Sequence, residues 1–448
     1  MTLKEKMLAV IADVNAQVAE REELVEAIAI ALLTRKNLFI LGAPGQAKSY
    51  AINQFRARIT GARQFERLLS KQTDEDQLFG RIDLSSLIPG GVTQAVLDRN
   101  TQYQEMCGRL KTRLAAGQGC GDLPEQMERQ RKALAALYGG EPQVNTAGKI
   151  PEADIAFLDE IFKCNDGVLN SLLTAFNERK YTNEGRTYPI PTISFFAASN
   201  EIPNFSDPQE KILEALYDRL ELKLVTEDIS ERDARMAVLK GKQAGTHGTV
   251  SATFTLDDLT AMQGEVAAIP VPDAINDLAD DILCALRKDG VRVSDRKYLN
   301  YYPIAQAKAW LEGHQRVEPQ DLLVLKHYLW EKPTERAGVE AALTRMCINP
   351  LQDKADNIRA MALEAMEDFD TAAAIAEKPN AASKSLIKLR GELVRLYQMQ
   401  QEVQAAAQTD NETALAAALL SDLEEVNRKA HEAVGFTYMP LPQLAALQ

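Results

Sequence analysis

Along the first half of the chain, short unbroken apolar runs alternate with stretches whose apolar residues recur every third or fourth position. The runs Leu38-Phe39-Ile40-Leu41, Ile155-Ala156-Phe157-Leu158 and Ile193-Ser194-Phe195-Phe196-Ala197-Ala198 are short and densely apolar. They read as strands buried on both faces. Between them the spacing is helical. Leu3, Met7, Ile11, Val14 and Val18 share one face behind a Thr2/Glu5 capping box, and a second helix runs from about Glu20 to Thr34. A third covers 167–178, with Val168, Leu169, Leu172, Leu173 and Phe176 on its apolar face. A helix from Lys48 to about Ile59, a strand over 64–69 and an alternating strand over 221–225 complete an α/β pattern.

Two regions depart from that alternation. Residues 83–148 are rich in Gly, Gln, Arg and Ala, with a Gly-Gln-Gly-Cys-Gly break at 117–121 and two polar helical segments near 94–115 and 124–138. They predict an insertion on the α/β body, outside its sheet. Residues 179–188 predict a hairpin turning at Asn183-Glu184-Gly185. From Thr226 to about 330 the pattern is helical, with loops near 241–253 and 269–273 and a helix opening at Ser294-Asp295-Arg296 and continuing through Trp310. Beyond Lys332, Leu386, Leu389, Leu393, Leu396 and Val403 form a heptad-like seam, and Leu415, Leu419, Leu423 and Val426 follow. This part predicts a helical hairpin or short bundle, with Ala405–Ala407 marking close helix packing.

Length and charge narrow the function classes. A chain of 448 residues divides into two or three domains. The assignment is 1–228 for the α/β core, 229–332 for an all-α lid and 333–448 for a C-terminal helical domain. A net charge of −13 repels phosphate backbones, so nucleic acid is not the expected partner, although a local basic strip inside a pore is compatible with it. No run approaches the roughly 18 apolar residues of a membrane span. The amino terminus lacks an apolar core followed by a cleavage site, and a cytoplasmic protein is expected. Cys107, Cys120, Cys164, Cys284 and Cys347 have no C-x-x-C spacing, which argues against a disulfide framework or zinc site. His247, His314, His327 and His431 are isolated, so histidine-based metal chemistry is not expected.

The chemistry concentrates at strand ends. Gly42-Ala43-Pro44-Gly45-Gln46-Ala47-Lys48-Ser49 follows the first buried run and leads into a helix. It is a phosphate-binding loop: glycines let backbone N–H groups approach a polyanion, Lys48 adds a charge for the β- and γ-phosphates, and Ser49 a hydroxyl for Mg²⁺. Tyr50 follows it. Ala47 replaces the second glycine of the general pattern, and its methyl group implies a negative φ there. A strand–turn–helix corner carrying these residues by chance is the alternative. The second apolar run weighs against it, because it ends in Asp159-Glu160. Ligands collect at the carboxyl ends of parallel strands, so Asp159 is placed to hold the Mg²⁺ shell and Glu160 to deprotonate an attacking water. The third run ends in Asn200, which either caps the strand or hydrogen-bonds the water or γ-phosphate. Arg296, in the first turn of a helix, opposes the helix dipole, so it either faces an anion or is an ordinary surface arginine.

As a set, GAPGQAKS at 42–49, FLDEIFK at 157–163, LLTAFNER at 172–179, AASNEIP at 197–203, ALYDRL at 215–220 and VSDRK at 293–297 resemble the MoxR family of AAA+ ATPases, most closely its RavA-like branch. The resemblance covers about 5 to 330. It implies an α/β AAA+ core with a parallel five-stranded sheet, an all-α lid, and use of ATP and Mg²⁺. It also implies that Asn200 is sensor 1, Arg219 an arginine finger set against a neighbour's γ-phosphate, and Arg296 sensor 2. Residues 83–148 take the place of the helix-2 insert, at greater length than the family leads one to expect, and 179–190 that of the pre-sensor-1 hairpin. After about 333 the helical pattern departs from the small β-containing module of RavA-like proteins. The implied activity is ATP-driven remodelling by a hexameric ring with a von Willebrand factor A (vWA) domain partner and a protein client. A nucleic-acid motor and a nucleotide-gated scaffold are the alternatives.

Overall fold

The computed structural model describes residues 1–88, 91–138, 144–183, 186–207, 210–245, 250–348, 350–375, 379–407 and 410–447. The chain divides into two compact units. One comprises Met1–Val271, Ser294–Val317 and His327–Pro333, and the other Pro272–Val293, Glu318–Lys326 and Thr334–Gln448.

The first unit opens with α1 (Leu3–Asn15) and α2 (Glu22–Thr34), then β1 (Leu38–Leu41) and α3 (Lys48–Arg56). The capping box forms: Glu5 N donates to the Thr2 hydroxyl and Thr2 N to the Glu5 carboxylate. α3 stops at Arg56, short of the expected end, because Ile59 belongs to a short strand, β2 (Ile59–Thr60). Next come β3 (Gln64–Leu68), α4 (Glu75–Phe79) and β4 (Arg81–Ile82).

The insertion is built from α5 (Gln94–Arg99), α6 (Thr101–Ala115) and α7 (Leu123–Tyr138), and ends in β5 (Val144–Asn145). β5 pairs antiparallel with β4, closing the base of the excursion, and no described strand of it joins the main sheet. Val92, Leu97, Leu134 and Ala135 form a small core of its own. α6 buries none of its residues, which accounts for its polar sequence.

The chain returns through β6 (Ile155–Asp159), α8 (Asp166–Glu178), the hairpin β7 (Lys180–Asn183) and β8 (Arg186–Pro189), β9 (Ser194–Ser199), α9 (Glu214–Tyr217) and β10 (Leu222–Val225). Residues 184–185 of the expected hairpin turn lie outside the described residues. The main sheet is parallel, in the order β10–β1–β9–β6–β3. Helices cover both faces of such a sheet, so Phe39, Phe157, Phe195 and Phe196 are all fully buried. The register pairs Leu41 with Ser199 and Asp159 with Ala198. Three neighbouring strands therefore end nearly level.

After β10 come α10 (Arg232–Gln243), β11 (Phe254–Thr255), which pairs with β2, and α11 (Leu256–Ala267). α12 (Asp273–Lys288) belongs to the second unit, and α13 (Asp295–Leu299) and α14 (Tyr302–Glu312) to the first. The single helix expected over 294–310 is broken at Asn300. Pro303 lies in the first turn of α14, where it lacks an N–H to donate backwards and crowds the preceding turn.

The remainder of the second unit contains α15 (Arg336–Ile348), α16 (Pro350–Ile375), α17 (Pro379–Ala406), α18 (Asp410–Val434) and α19 (Leu441–Ala445). Leu386, Leu389, Leu393, Leu396, Val403, Leu419 and Leu423 are buried in one core, with Leu415 and Val426 packed against it. Of the Ala405–Ala407 run expected in close packing, Ala407 packs against this core and Ala405 and Ala406 are exposed. Val403 and Ala407, four residues apart, meet the core, whereas Ala405 and Ala406 fall on the other face.

A buried ion pair ties the amino-terminal helix to this frame. The fully buried Arg58 donates through Nε to Asp13 Oδ2 at 2.6 Å, and Ser251 N donates to the same carboxylate at 3.0 Å. Burial raises the Asp13 pKa, but hydrogen bonds from Ser251 and Arg58 outweigh it and bring it down to about 2. Asp13→Ala leaves the guanidinium uncompensated and is expected to cost about 2–3 kcal/mol at pH 7, somewhat below a fully enclosed pair. Because the folded pKa lies below the unfolded one, this stabilisation is complete above about pH 4 and fades as the pH falls towards 2. Urea unfolding at pH 7 and pH 3 should show the gap between wild type and variant narrowing at the lower pH. Coincident midpoints at pH 7 would contradict it.

Candidate functional site

The phosphate loop occupies the turn between β1 and α3, with Ala43, Pro44 and Gly45 exposed and Gly42, Gln46 and Lys48 buried. Gly42 is required by crowding: a Cβ there would lie 2.0 Å from Thr226 Oγ1 and 2.4 Å from Gln46 Oε1. Those two atoms share a 2.9 Å hydrogen bond across the glycine. Gln46 Nε2 also donates to Asp228 at 3.2 Å. Arg21 donates to the carbonyl oxygens of Gln46 and Glu227 at 3.3 and 2.5 Å. The loop is thereby held to the segment leaving β10. Arg21, Thr226 and Asp228 carry no motif, and no sequence pattern marks them.

Ala47 corrects an expectation. Its φ is +60° with ψ 23°, the left-handed region, not the negative φ its methyl group implied. Gly45, at φ +88°, does the same without a side chain. The left-handed conformation costs a non-glycine residue about 1–2 kcal/mol, and the fold imposes it because the loop must curl back over β1 before α3 begins.

The level strand ends bring the predicted residues together. Ser49 Oγ donates to Asp159 Oδ2 at 3.2 Å, and Glu160 N donates to Asp159 Oδ1 at 3.0 Å. Lys48 Nζ donates to the carbonyl oxygens of Gly42 and Ala43 at 2.5 and 2.9 Å and to Asn200 Oδ1 at 3.3 Å. Asn200 Nδ2 in turn donates to Glu160 Oε1. Asn200 is thus more than a strand cap, since it bridges the loop lysine to the second carboxylate. Lys163 Nζ lies 3.2 Å from Glu160 Oε2, an ion pair that the motif spacing did not single out. Burial lowers the Lys48 pKa, opposed by the charges of Asp159 and Glu160. Tyr50, half-buried in the first turn of α3, has its hydroxyl pKa raised by burial, opposed by the Arg58 charge. Ser49 and Asp159 are hard oxygen donors on adjacent elements, a set that suits Mg²⁺ with phosphate oxygens and water completing its shell. Among the described residues no cluster of three or more His, Cys, Asp or Glu could hold a metal by itself.

Arg219 and Arg296 lie elsewhere. The Arg219 carbonyl accepts from Asn37 Nδ2 at 2.9 Å, just before β1 begins, while Lys48 follows the end of β1. At about 3.3 Å per residue, a four-residue strand separates these levels by roughly 13 Å. Arg219 Nη1 donates to the Ala215 carbonyl at 2.6 Å, and its Nε is buried without a hydrogen-bond partner. Arg296 does face an anion, but that anion is Asp218, at 3.6 Å, and its Nη2 donates to Asn177 Oδ1 at 3.1 Å. Of the four candidate catalytic residues, Glu160 and Asn200 thus meet beside Lys48, whereas Arg219 turns to the Ala215 carbonyl and Arg296 to Asp218.

Residues 5–99 and 132–264 match the model of the MoxR domain of MoxR–vWA–β-propeller ternary systems, half of the chain, and 271–343 match an AAA lid domain. The chain belongs to the MoxR family of AAA+ ATPases. The matched segments omit 100–131, which contains α6 and the first half of α7, so the excess length lies in the middle of the insert. Two uncharacterized proteins of Methanocaldococcus jannaschii are similar. One is 27% identical over 85% of this chain and 83% of its own, the other 28% over 71% and 68%. A structural protein of Acidianus two-tailed virus is 35% identical over 20% of this chain and 14% of its own. A crystal structure of an inferred ATPase from Cytophaga hutchinsonii shares the fold, with TM-score 0.53 and 16% identity over 76% of this chain and 94% of that one. No described helix is long and apolar enough to cross a membrane.

Next to Arg296, Lys297 anchors α13 in a buried charge cluster. Lys297 Nζ lies 2.5 Å from the Glu331 carboxylate, which also pairs with the fully buried Lys223 of β10. Two lysines share one carboxylate, and burial, aided by the Lys297 charge and opposed by Glu331, pushes the Lys223 pKa down to about 7.

Two predictions follow from these strained features. Ala47→Gly should raise stability by about 0.5–1 kcal/mol with ATP binding retained, since the exposed methyl group packs on nothing. A lower urea midpoint would contradict the strain. Lys223→Met should raise stability by about 1 kcal/mol at pH 7, because Glu331 keeps Lys297 and the buried excess cation is removed. The unfolded state binds more protons than the folded one between the depressed pKa and the ordinary lysine value. Wild-type stability should therefore climb with pH from about 7 to 10, and that climb should flatten in the variant. Parallel pH profiles would sink this assignment.

Proposed function

We propose that this MoxR-family chain hydrolyses ATP, and that it does so as a ring in which each site is completed by its neighbour. The observation that carries the reading is the Lys48–Asn200–Glu160 chain beside Ser49 and Asp159. Lys48 now hydrogen-bonds the carbonyls of its own loop, and a triphosphate would offer it stronger, charged acceptors. Moving to them would release Asn200 Oδ1, freeing the amide that holds Glu160. Glu160 could then accept a proton from a water as its oxygen attacks the γ-phosphorus and the bond to the β-phosphate oxygen breaks. Ser49 and Asp159 would hold Mg²⁺, which when bound neutralises charge on the phosphate oxygens.

The separation of Arg219 and Arg296 from Lys48 in the same chain supports action in trans. Both arginines would be presented to the γ-phosphate of an adjoining subunit, with Asp218 as the resting counterion of Arg296. A hexamer is the proposed assembly. The family description supports a vWA-domain partner and, with it, a β-propeller protein; remodelling or maturation of a protein complex is the proposed work of that system. A RavA-like placing within the family rests on the wording of the motifs alone. A cytoplasmic location is proposed from the composition.

Glu160→Gln should bind ATP with Mg²⁺ yet lose about 10²–10⁴-fold in turnover, whereas Lys48→Ala should lose binding as well. Neither Arg219→Ala nor Glu160→Gln should turn over alone. Mixed, they should regain activity, because some interfaces pair an intact Glu160 with an intact Arg219. Absence of recovery in verified mixed rings would overturn action in trans, and near wild-type turnover in Glu160→Gln would overturn the proposed base.

A further inference from the structure

We propose that the seam between α16 and α17 is a docking groove for a basic amphipathic helix of a partner protein. A cavity of about 260 Å³ opens there, floored by Met361, Ala365, Phe369, Leu389 and Leu396. Its rim is acidic. Glu364 and Asp368 stand on α16 and Glu392 on α17; Lys388 lies 3.9 Å from Asp368 and Arg395 3.9 Å from Glu392, both as exposed pairs that screen the rim only weakly, and Glu364 is the third carboxylate. From Ala360 to the end of α16 the sequence carries Glu364, Glu367, Asp368 and Asp370 and no lysine or arginine. The carbonyl end of the helix adds to that negative field.

An apolar floor takes the i, i+3, i+4 and i+7 residues of an amphipathic helix, and an acidic rim selects one flanked by lysine or arginine. The other side of the same helices is already closed by α18: Leu386, Leu393 and Leu419 are buried together. An acidic partner would meet like charge, and a polar one would leave the floor wet. No residue of the groove belongs to the Lys48–Asn200–Glu160 site, so docking requires no turnover.

The test uses the full-length protein and a fluorescein-labelled peptide of leucines and lysines spaced to give one apolar and one cationic helix face. Fluorescence anisotropy should show binding of this peptide, but not of one with the same composition and scattered leucines, nor of its leucine–glutamate counterpart. The triple variant Glu364→Lys, Asp368→Lys, Glu392→Lys should weaken binding at least about tenfold, as expected from three exposed charge pairs. Ala365→Trp, which fills the groove at unchanged charge, should weaken it comparably. Glu425→Lys, on exposed α18 surface, should not. Lys48→Ala should bind the peptide like wild type, which separates this proposal from the hydrolysis reading. Equal affinity for ordered and scattered peptides, or unchanged affinity in the triple and Ala365→Trp variants, would overturn it. So would self-association abolished by the triple variant without peptide binding, which would assign the groove to a second copy of the chain.

Discussion

The site depends on three parallel strands ending level. β1, β9 and β6 are paired so that Leu41, Ser199 and Asp159 lie within one residue of each other. The residues that follow, Gly42, Asn200 and Glu160, emerge at one edge of the sheet. Parallel pairing also sends the connecting helices to the faces, where they exclude water from the apolar runs. The same hydrogen-bond register thus packs the core and assembles the Lys48–Asn200–Glu160 chain.

Close to that edge, two constraints shape the phosphate loop. The missing side chain of Gly42 lets Thr226 and Gln46 bond across it, and Arg21 ties the Gln46 and Glu227 carbonyls together. The loop is therefore fixed to the segment that leaves β10 and enters α10. Ala47 accepts a left-handed backbone within this frame. Strain of this size persists because the surrounding hydrogen bonds over-determine the loop.

Charge burial explains why the remaining arginines sit apart. Lys223, Lys297 and Glu331 form a cluster that pins α13, and with it Arg296, near Asp218. Asn37 holds the Arg219 backbone at the start of β1, and Arg179 Nη2 donates to its Oδ1 at 2.8 Å. The Arg219 backbone is thus held at the end of β1 away from Lys48. Arg296 finds its partners in Asp218 and Asn177, contacts that neither residue's motif suggests.

The order of elements was legible in the chain itself, because apolar runs and helical spacing report directly on which faces are buried. So was the meeting of Lys48, Ser49, Asp159 and Glu160, because the loop and the carboxylates sit at the carboxyl ends of strands. What depended on residues distant in sequence was not legible. The positive φ of Ala47 comes from a loop closed against Thr226, and the bridging role of Asn200 from strands brought into register. The break at Asn300 came from Pro303, a local signal outweighed by the apolar spacing on either side of it. The exposure of Ala405 and Ala406 came from their place on the face of α17 turned away from Val403. Periodicity reports the environment of a segment averaged over its length. Backbone strain, shared carboxylates such as Glu331, and the separation of Arg219 from Lys48 arise only when particular atoms from remote segments meet, and the tertiary structure alone decides that.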